Sequence, residues 1–418
     1  MRLLLINHYA GSPQHGMEYR PYYLAREWVR AGHQVLILAA SQSHVRTTQP
    51  RVGGETIDGI SYCWYRTPTY QGNGLGRVRN IYSFCRQVWN DADALAGEFQ
   101  PDAVIASSTY PMDVWVARRI ARRSKAKLVY EVHDLWPLSP IELSGMSPRH
   151  PFAMLCQKAE NDAYRDADVV VSMLPKVQGH MAEHGLDLNK LSIVPNGVTL
   201  DEWEGEGEAL DATLAAHLDS QQGRVILGYA GSHGLPNALD VLLDAAKLLR
   251  EQPIAIVMVG DGHEKARLAE RVQAEGLSNV ALFPPIPKRQ IPALLARFDI
   301  AYIGWQRTPI YRFGIAPNKL MDYMMAGVAV LHSVEAGNDP VAEAQAGLTV
   351  PPEDARAVAE GVLRLAVLSA EERRAMGARG RAFVLAEHTY PVLAQRFLAA
   401  LGVTDNGANA PTAPTTHE

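Results

Sequence analysis

The chain has 418 residues and a formal net charge of −5, with 47% hydrophobic and 20% charged residues. These are globular proportions that exclude a largely disordered or collagen-like polymer and suggest two or three domains. Its three cysteines, Cys63, Cys85 and Cys156, are odd in number and far apart, which excludes a disulfide framework or a paired-cysteine metal knuckle and makes the reducing cytosol the expected compartment. No apolar run reaches the ~18 residues of a membrane span, and the run from Leu3 to Ile6 is too short for a signal-peptide core.

In chain order, LLLIN (3–7) reads as a first buried strand. Residues 18–31 read as a helix, with Leu24, Trp28 and Ala31 at helical spacing and Gly32 as a stop. Further strands are expected at VLILAA (35–40), AVIAS (103–107), LVYEV (128–132) and VVVSM (169–173). Strands separated by helices imply a parallel sheet, because parallel neighbours need a crossover. The acidic stretch 201–222 breaks the pattern and reads as a linker with a short helix. The pattern resumes with VILGYA (225–230), IAIVMV (254–259), VALF (280–283), IAYI (300–303), VAVL (328–331) and LTV (348–350). Helices are predicted near 237–251, 264–275, 289–297 and 317–326, and from 370 to 402 with a break near His388–Pro391. The last residues, TDNGANAPTAPTTHE, lack apolar periodicity and read as disordered.

Two α/β halves follow, each opening with a strand that runs into a glycine-containing turn. In doubly wound sheets ligands bind beyond the carboxyl ends of the strands. There, Gly11 and Gly16 lie in the loop feeding the first helix, a place where backbone can approach an anion. His133 and Asp134 follow the fourth strand, where a histidine can act as acid, base or donor. Gly228, Gly231 and Gly234 frame the turn opening the second half, which again suits phosphate. In YRFGIAPNKLMDYMMAGVAVL (311–331), Pro317 suits a first helical turn, Asn318 exposes backbone N–H near it, and Lys319 adds positive charge. Asp322 lies one turn further, near-aligned with Asn318. A helix start with a lysine suits phosphate, and a carboxylate beside it suits a sugar hydroxyl. Arg312 could supplement Lys319.

These segments together resemble the family-4 retaining glycosyltransferases of GT-B architecture over about residues 1–400. The stretches that carry the resemblance are GMEYRPYYLAREWVRAGHQVLIL, ADVVVSMLPKVQGHMAEHG, KLSIVPNGVTLDEW, ILGYAGSHG, IVMVGDGHEKARL and NVALFPPIPKRQIPALLARFDIAYI, in the family's order. The family's two carboxylates eight apart fall on Gly314, which has no side chain, and Asp322, shorter than the usual Glu. The pattern GxxPNKLxDY is similar to transferases of N-acetylated deoxyhexosamines, such as L-fucosamine, in surface-polysaccharide assembly. The resemblance implies an α/β fold of two Rossmann-like doubly wound domains facing across a cleft, with a C-terminal helix crossing back. It implies a nucleotide-sugar donor, most simply UDP-linked and a substrate rather than a cofactor, and a glycan or lipid-linked acceptor. The diphosphate would meet Gly231, Ser232, Gly234, Pro317, Asn318 and Lys319. Asp322 would hold the ribose and Ile286 would border the base. Gly16 would approach from across the cleft, and His133 and Lys319 would serve the reaction.

The implied domains are 1–200 (acceptor side), 201–222 (linker), 223–380 (nucleotide-sugar side), 381–402 (returning helices) and 403–418 (disordered tail). No essential metal and no nucleic acid are expected. Asp91–Asp93 and Asp166–Asp168 match a metal-binding DxD string but read as structural. His180, Glu183 and His184 match HxxEH, yet no third ligand is suggested nearby. Residues 1–150 carry 17 basic and 12 acidic residues. With six basic residues in RRIARRSKAK (118–127) and aromatics Tyr62, Trp64, Tyr65, Tyr70, Tyr82, Phe84 and Trp89, this half is a candidate for peripheral contact with anionic lipid at the inner face of the membrane. A nucleotide-sugar epimerase or a non-catalytic nucleotide-binding member on the same fold are the alternatives. A redox enzyme is disfavoured, because GNGLGR (72–77) follows no convincing strand.

Overall fold

The structure is a computed structural model that describes residues 1–16, 19–72, 74–204 and 207–403. Met17 and Glu18 of the first loop, and the tail from 404 on, lie outside the described residues. The N-terminal half holds strands β1 (Arg2–Ile6), β2 (Gln34–Ala40), β3 (Gly53–Ile57), β4 (Ile60–Tyr65), β5 (Ala103–Ala106), β6 (Lys127–Val132), β7 (Val169–Ser172) and β8 (Leu191–Ile193). They form one sheet in the order β3-β4-β2-β1-β5-β6-β7-β8. Every described pairing is parallel except β3 with β4. Helices cover both faces, so Leu3, Leu4, Leu5 and Ile6 are all fully buried and the strand reads as an unbroken apolar run.

The hairpin β3–β4 was absent from the sequence reading. Its turn places Asp58 and Gly59 both at positive φ, the backbone a two-residue hairpin needs. It also corrects the interfacial reading of the nearby aromatics. Tyr62, Trp64, Tyr65 and Phe84 are buried, with Tyr62 and Trp64 stacked 4.8 Å apart. Only Tyr82 and Trp89 of that group stand among the exposed large side chains.

The second half holds β9 (Val225–Ala230), β10 (Ile254–Val259), β11 (Val280–Phe283), β12 (Ile300–Gly304), β13 (Ala329–Ser333) and β14 (Gly347–Thr349), all parallel in the order β11-β10-β9-β12-β13-β14. Strand order therefore reverses between β1 and β5 in one sheet and between β9 and β12 in the other. The crevices at these switch points open at the carboxyl ends of the strands.

Among the segments that tie the halves together are the C-terminal helices and a short turn of the second half. The helix Ala370–Glu387 stays on the second half, where Val384 joins its core. The helix Tyr390–Ala400 then crosses to the first half, its Tyr390, Leu393, Phe397 and Leu398 packing with Leu24 and Trp28. In return, Ile310 and Phe313 of the short turn Pro309–Phe313 bury themselves in the core of the first half.

Candidate active site

Beyond β9, the turn 231–234 meets the start of the helix Asn318–Met325. Pro317 caps that helix with extended backbone, Asn318 is exposed at its start, and Lys319 leans back over the turn. The Lys319 ammonium donates to Tyr229 Oη (3.0 Å) and Asn237 Oδ1 (2.6 Å) and lies 4.8 Å from the Tyr229 ring centre. Tyr229 Oη and the Asn237 amide in turn donate to the Ser232 carbonyl, at 2.6 and 3.0 Å. All partners of the ammonium are neutral, and among the described residues no carboxylate pairs with it. Burial pulls its pKa down to about 8.

Neighbours pack closely at the start of the turn. A Cβ on Gly231 would stand 3.2 Å from the Lys319 ammonium, and one on Gly260, after β10, would stand 1.8 Å from the Gly231 carbonyl oxygen. Gly234 lies near the His263 ring. His233 between them is fully buried with neither ring nitrogen hydrogen-bonded, and burial lowers its pKa to about 4. One turn along the helix, no hydrogen bond among the described residues reaches the Asp322 carboxyl. Burial raises it to about 7, partly offset by Lys288. Lys288 bonds Glu202 Oε1 (2.7 Å) and Tyr23 Oη (3.1 Å), joining both halves and the linker beside it. Ile286, half-buried after β11, packs on the cluster that holds Leu320 and Met321.

In the first half, His133 follows β6 and is buried. Its Nε2 lies 3.0 Å from Ser107 Oγ and 3.4 Å from Glu131 Oε2. Ser107 Oγ, beyond β5, donates its single proton to Glu131 Oε2 at 2.6 Å, so at the serine the imidazole must be the donor, through Nε2–H. Glu131 also pairs with Arg20, 2.9 Å away and equally buried. Burial would raise this carboxyl, but Arg20, His133 and Ser107 outweigh it and hold it at about 2. Arg20 reaches on to the carbonyls of Val194 (2.8 Å) and Pro195 (2.6 Å), and the neighbouring Asn196 donates across the halves to the Ala316 carbonyl (3.1 Å). Gly16, at φ +92, sits against Thr47.

Two positions depart from the sequence reading. Arg312 is not aimed at the 231–234 turn. It makes a two-pronged ion pair with Glu142 of the helix Leu138–Ser144, both contacts 2.8 Å, across the halves. Gly314 takes φ +97, and a Cβ there would meet Pro175 Cδ at 2.5 Å and Asn338 Oδ1 at 2.9 Å. Gly314 is thus a point at which the second half presses on the first, sealed by Lys176 N–H donating to the Phe313 carbonyl (2.9 Å).

The structural reading of the acidic pairs fits their contacts. Asp166 binds Arg118 and Arg165, Asp168 caps the Leu128 N–H, and Asp93 binds Arg119 and Arg123. These bonds also use up much of the basic run 118–127, and Lys127 bonds the Leu401 carbonyl. Sequence reasoning missed Tyr229, Asn237, Ser107, Glu131 and Arg20 as site members. The strand ends LGYA, IAS and YEV carried the signal for three of them.

A family model described as "Glycosyl transferase 4-like domain" matches residues 15–197, and one described as "Glycosyl transferases group 1" matches residues 224–367. The provisionally named colanic acid biosynthesis glycosyl transferase WcaI of Escherichia coli K12 is 24% identical over 356 residues, 82% of this chain and 86% of that protein. Among solved structures, sucrose-phosphate synthase from Thermosynechococcus elongatus aligns with a TM-score of 0.70 at 17% identity, covering 96% of this chain and 98% of that one. HepE of Anabaena in complex with UDP-glucose aligns with a TM-score of 0.64 at 15% identity, covering 96% and 99%.

Proposed function

We propose that the chain, whose two halves match glycosyltransferase family models over residues 15–197 and 224–367, transfers a sugar from a UDP-sugar, with retention of anomeric configuration, to a polysaccharide or lipid-linked acceptor. The observation that carries the donor assignment is the Lys319 ammonium, mostly buried at a glycine turn and a helix start with only neutral partners. A cation so held calls for an anion, and the helix N-terminus favours the same charge. In this reading Lys319, the backbone at Asn318 and the 231–234 turn take the departing diphosphate, whose growing charge such fixed dipoles stabilise. Asp322 accepts from the ribose hydroxyls, and Ile286 borders the base. His133, its ring fixed by Ser107 and Glu131, borders the sugar. Gly16 stands at the far wall. No metal takes part in this scheme.

The N-terminal half supports the acceptor reading. A cavity of about 460 Å³ opens between the helices Leu75–Asn90, Asp113–Ser124 and Pro151–Asp166, lined by Ile81, Cys85, Trp89, Met112, Trp115 and Phe152. Exposed Leu75, Tyr82, Met154 and Leu155 lie on the same helices, and Arg86 stands in its wall. Its inner wall touches Tyr110 through Cys85 (Sγ–Oη 3.7 Å), and Tyr110 bonds His8 at the end of β1 (2.7 Å). An apolar groove with a cationic edge next to the strand ends suits a hydrocarbon-carried acceptor at the cytoplasmic membrane face. No helix among the described residues is long and apolar enough to cross a membrane. The similarity to WcaI supports surface polysaccharide as the product, and the GxxPNKLxDY pattern supports an N-acetylated deoxyhexosamine as the sugar. Incubation with UDP-sugars and a lipid-linked glycan, followed by NMR of the product linkage, tests this. A retained anomeric centre is expected. An inverted product, or turnover of the donor without any acceptor, would refute it.

A further inference from the structure

The two histidines of HMAEH, His180 and His184, gain in the folded chain the third partner that the local sequence lacks. Glu160, on the helix Pro151–Asp166, faces both of them, one ligand atom from each of the three lying within 4.8 Å of the others. His180 Nε2 stands 3.5 Å from Glu160 Oε1. Two ligands of one tetrahedral zinc ion stand about 3.3 Å apart, given bonds near 2.0–2.1 Å. That nitrogen is covered and makes no hydrogen bond, and the His180 side chain is only 10% exposed. Glu160 is 1% exposed, and no lysine or arginine among the described residues pairs with it.

The outer contacts of the cluster suit the same purpose. Tyr164 Oη donates to Glu160 Oε1 (2.9 Å), and the Gln157 amide donates to Glu160 Oε2 (2.8 Å) and reaches His184 Nδ1 (3.1 Å). The two bonds to Glu160 orient its carboxylate from behind. The His180 ring also lies 5.3 Å from the ring of Phe313, the residue that the second half inserts into the first.

We propose that Glu160, His180 and His184 bind a divalent transition metal, zinc by the chemistry of two imidazoles and one carboxylate, and that the ion staples the helix Pro151–Asp166 to Gln178–Glu183 beneath Phe313. The three protein ligands leave a fourth position for water. The ion belongs to the fold, so the site stands or falls independently of the transferase reading. Without metal the same residues would form only a buried histidine–carboxylate contact, and the test separates the two.

Full-length protein stripped with a chelator is titrated with zinc chloride against a chromophoric competitor, and its melting is followed with and without zinc. The expected result is one zinc per chain with a sub-micromolar Kd and a higher Tm. Affinity should fall about 100-fold in His180→Gln and about 10-fold in Gln157→Ala, an outer-shell change. The zinc-dependent rise in Tm should vanish in His180→Gln. Circular dichroism establishes that each variant is folded, and His184→Gln replaces any that is not. Binding no tighter than about 10 µM, or equal zinc affinity in the folded wild type and ligand variants, would overturn the proposal.

Discussion

At the scale of single residues the account rests on two ionisable groups whose surroundings are wrong for an empty surface. Lys319 has a pKa near 8 because burial penalises its charge and no anion repays it. Diphosphate affinity should therefore weaken as pH rises through about 8, and Lys319→Ala should both lower affinity at least tenfold and abolish that pH dependence in titrations from pH 6 to 9. Asp322 has the opposite signature, a carboxyl raised from 3.8 to about 7. The folded chain then holds a proton that the unfolded chain releases, so this group's contribution to stability is full below about pH 4 and is lost as pH rises through about 7. Asp322→Asn should flatten that slope in melting curves while raising the donor KM, by about 1–3 kcal/mol for a lost hydrogen bond to a charge. Identical melting slopes in the two proteins would contradict the assignment. Lys319 and Asp322 were legible because they sit one turn apart at a helix start after a proline. Asn237 and Glu160 were not, because each meets its partner from a different element and spacing along the chain carries no trace of that.

At the scale of elements, the turn Pro309–Phe313 works as a clasp. Ile310 and Phe313 enter the opposite core, Gly314 lies on Pro175, and Arg312 grips Glu142. Glycine suits position 314, since neither the positive φ nor the space beside Pro175 and Asn338 admits a side chain. Arg312 is half-exposed, so the pair is worth only about 0.2–1 kcal/mol. Arg312→Glu should leave nucleotide affinity within twofold while lowering kcat several-fold, and the swap Arg312→Glu with Glu142→Arg should restore it. A tenfold loss of nucleotide affinity in Arg312→Ala would instead return this residue to the phosphate. The hairpin β3–β4 carried a readable Asp-Gly signal at its turn. It went unread although Ile60, Tyr62 and Trp64 alternate with Ser61 and Cys63, because its aromatics read equally well as part of an interfacial cluster.

At the scale of the whole molecule, alternation of apolar runs and helical periods was enough to give two parallel sheets, because parallel strands need crossovers and connections keep one hand. The way the halves lock was less legible, since it depends on contacts between residues more than a hundred positions apart. The returning helix is one such lock: Trp28 Nε1 donates to the Ala394 carbonyl (3.3 Å) and stacks edge-on to Phe397 at 5.1 Å. Phe397→Ala should cost about 3–5 kcal/mol, as deletion of a buried aromatic does, and should lower the melting temperature of the first half, followed by hydrogen exchange in β1 and β2. Unchanged protection there would show that the crossing helix is dispensable.

The central claim, a nucleoside-diphosphate site built on Lys319 and the 231–234 turn, is tested most directly by calorimetric titration with UDP, GDP and TDP, with and without EDTA, in wild type and Lys319→Ala. The account predicts that UDP binds wild type preferentially, with an affinity that EDTA leaves unchanged and that falls at least tenfold in the variant. No binding of any of the three, or equal binding by the variant, would contradict it.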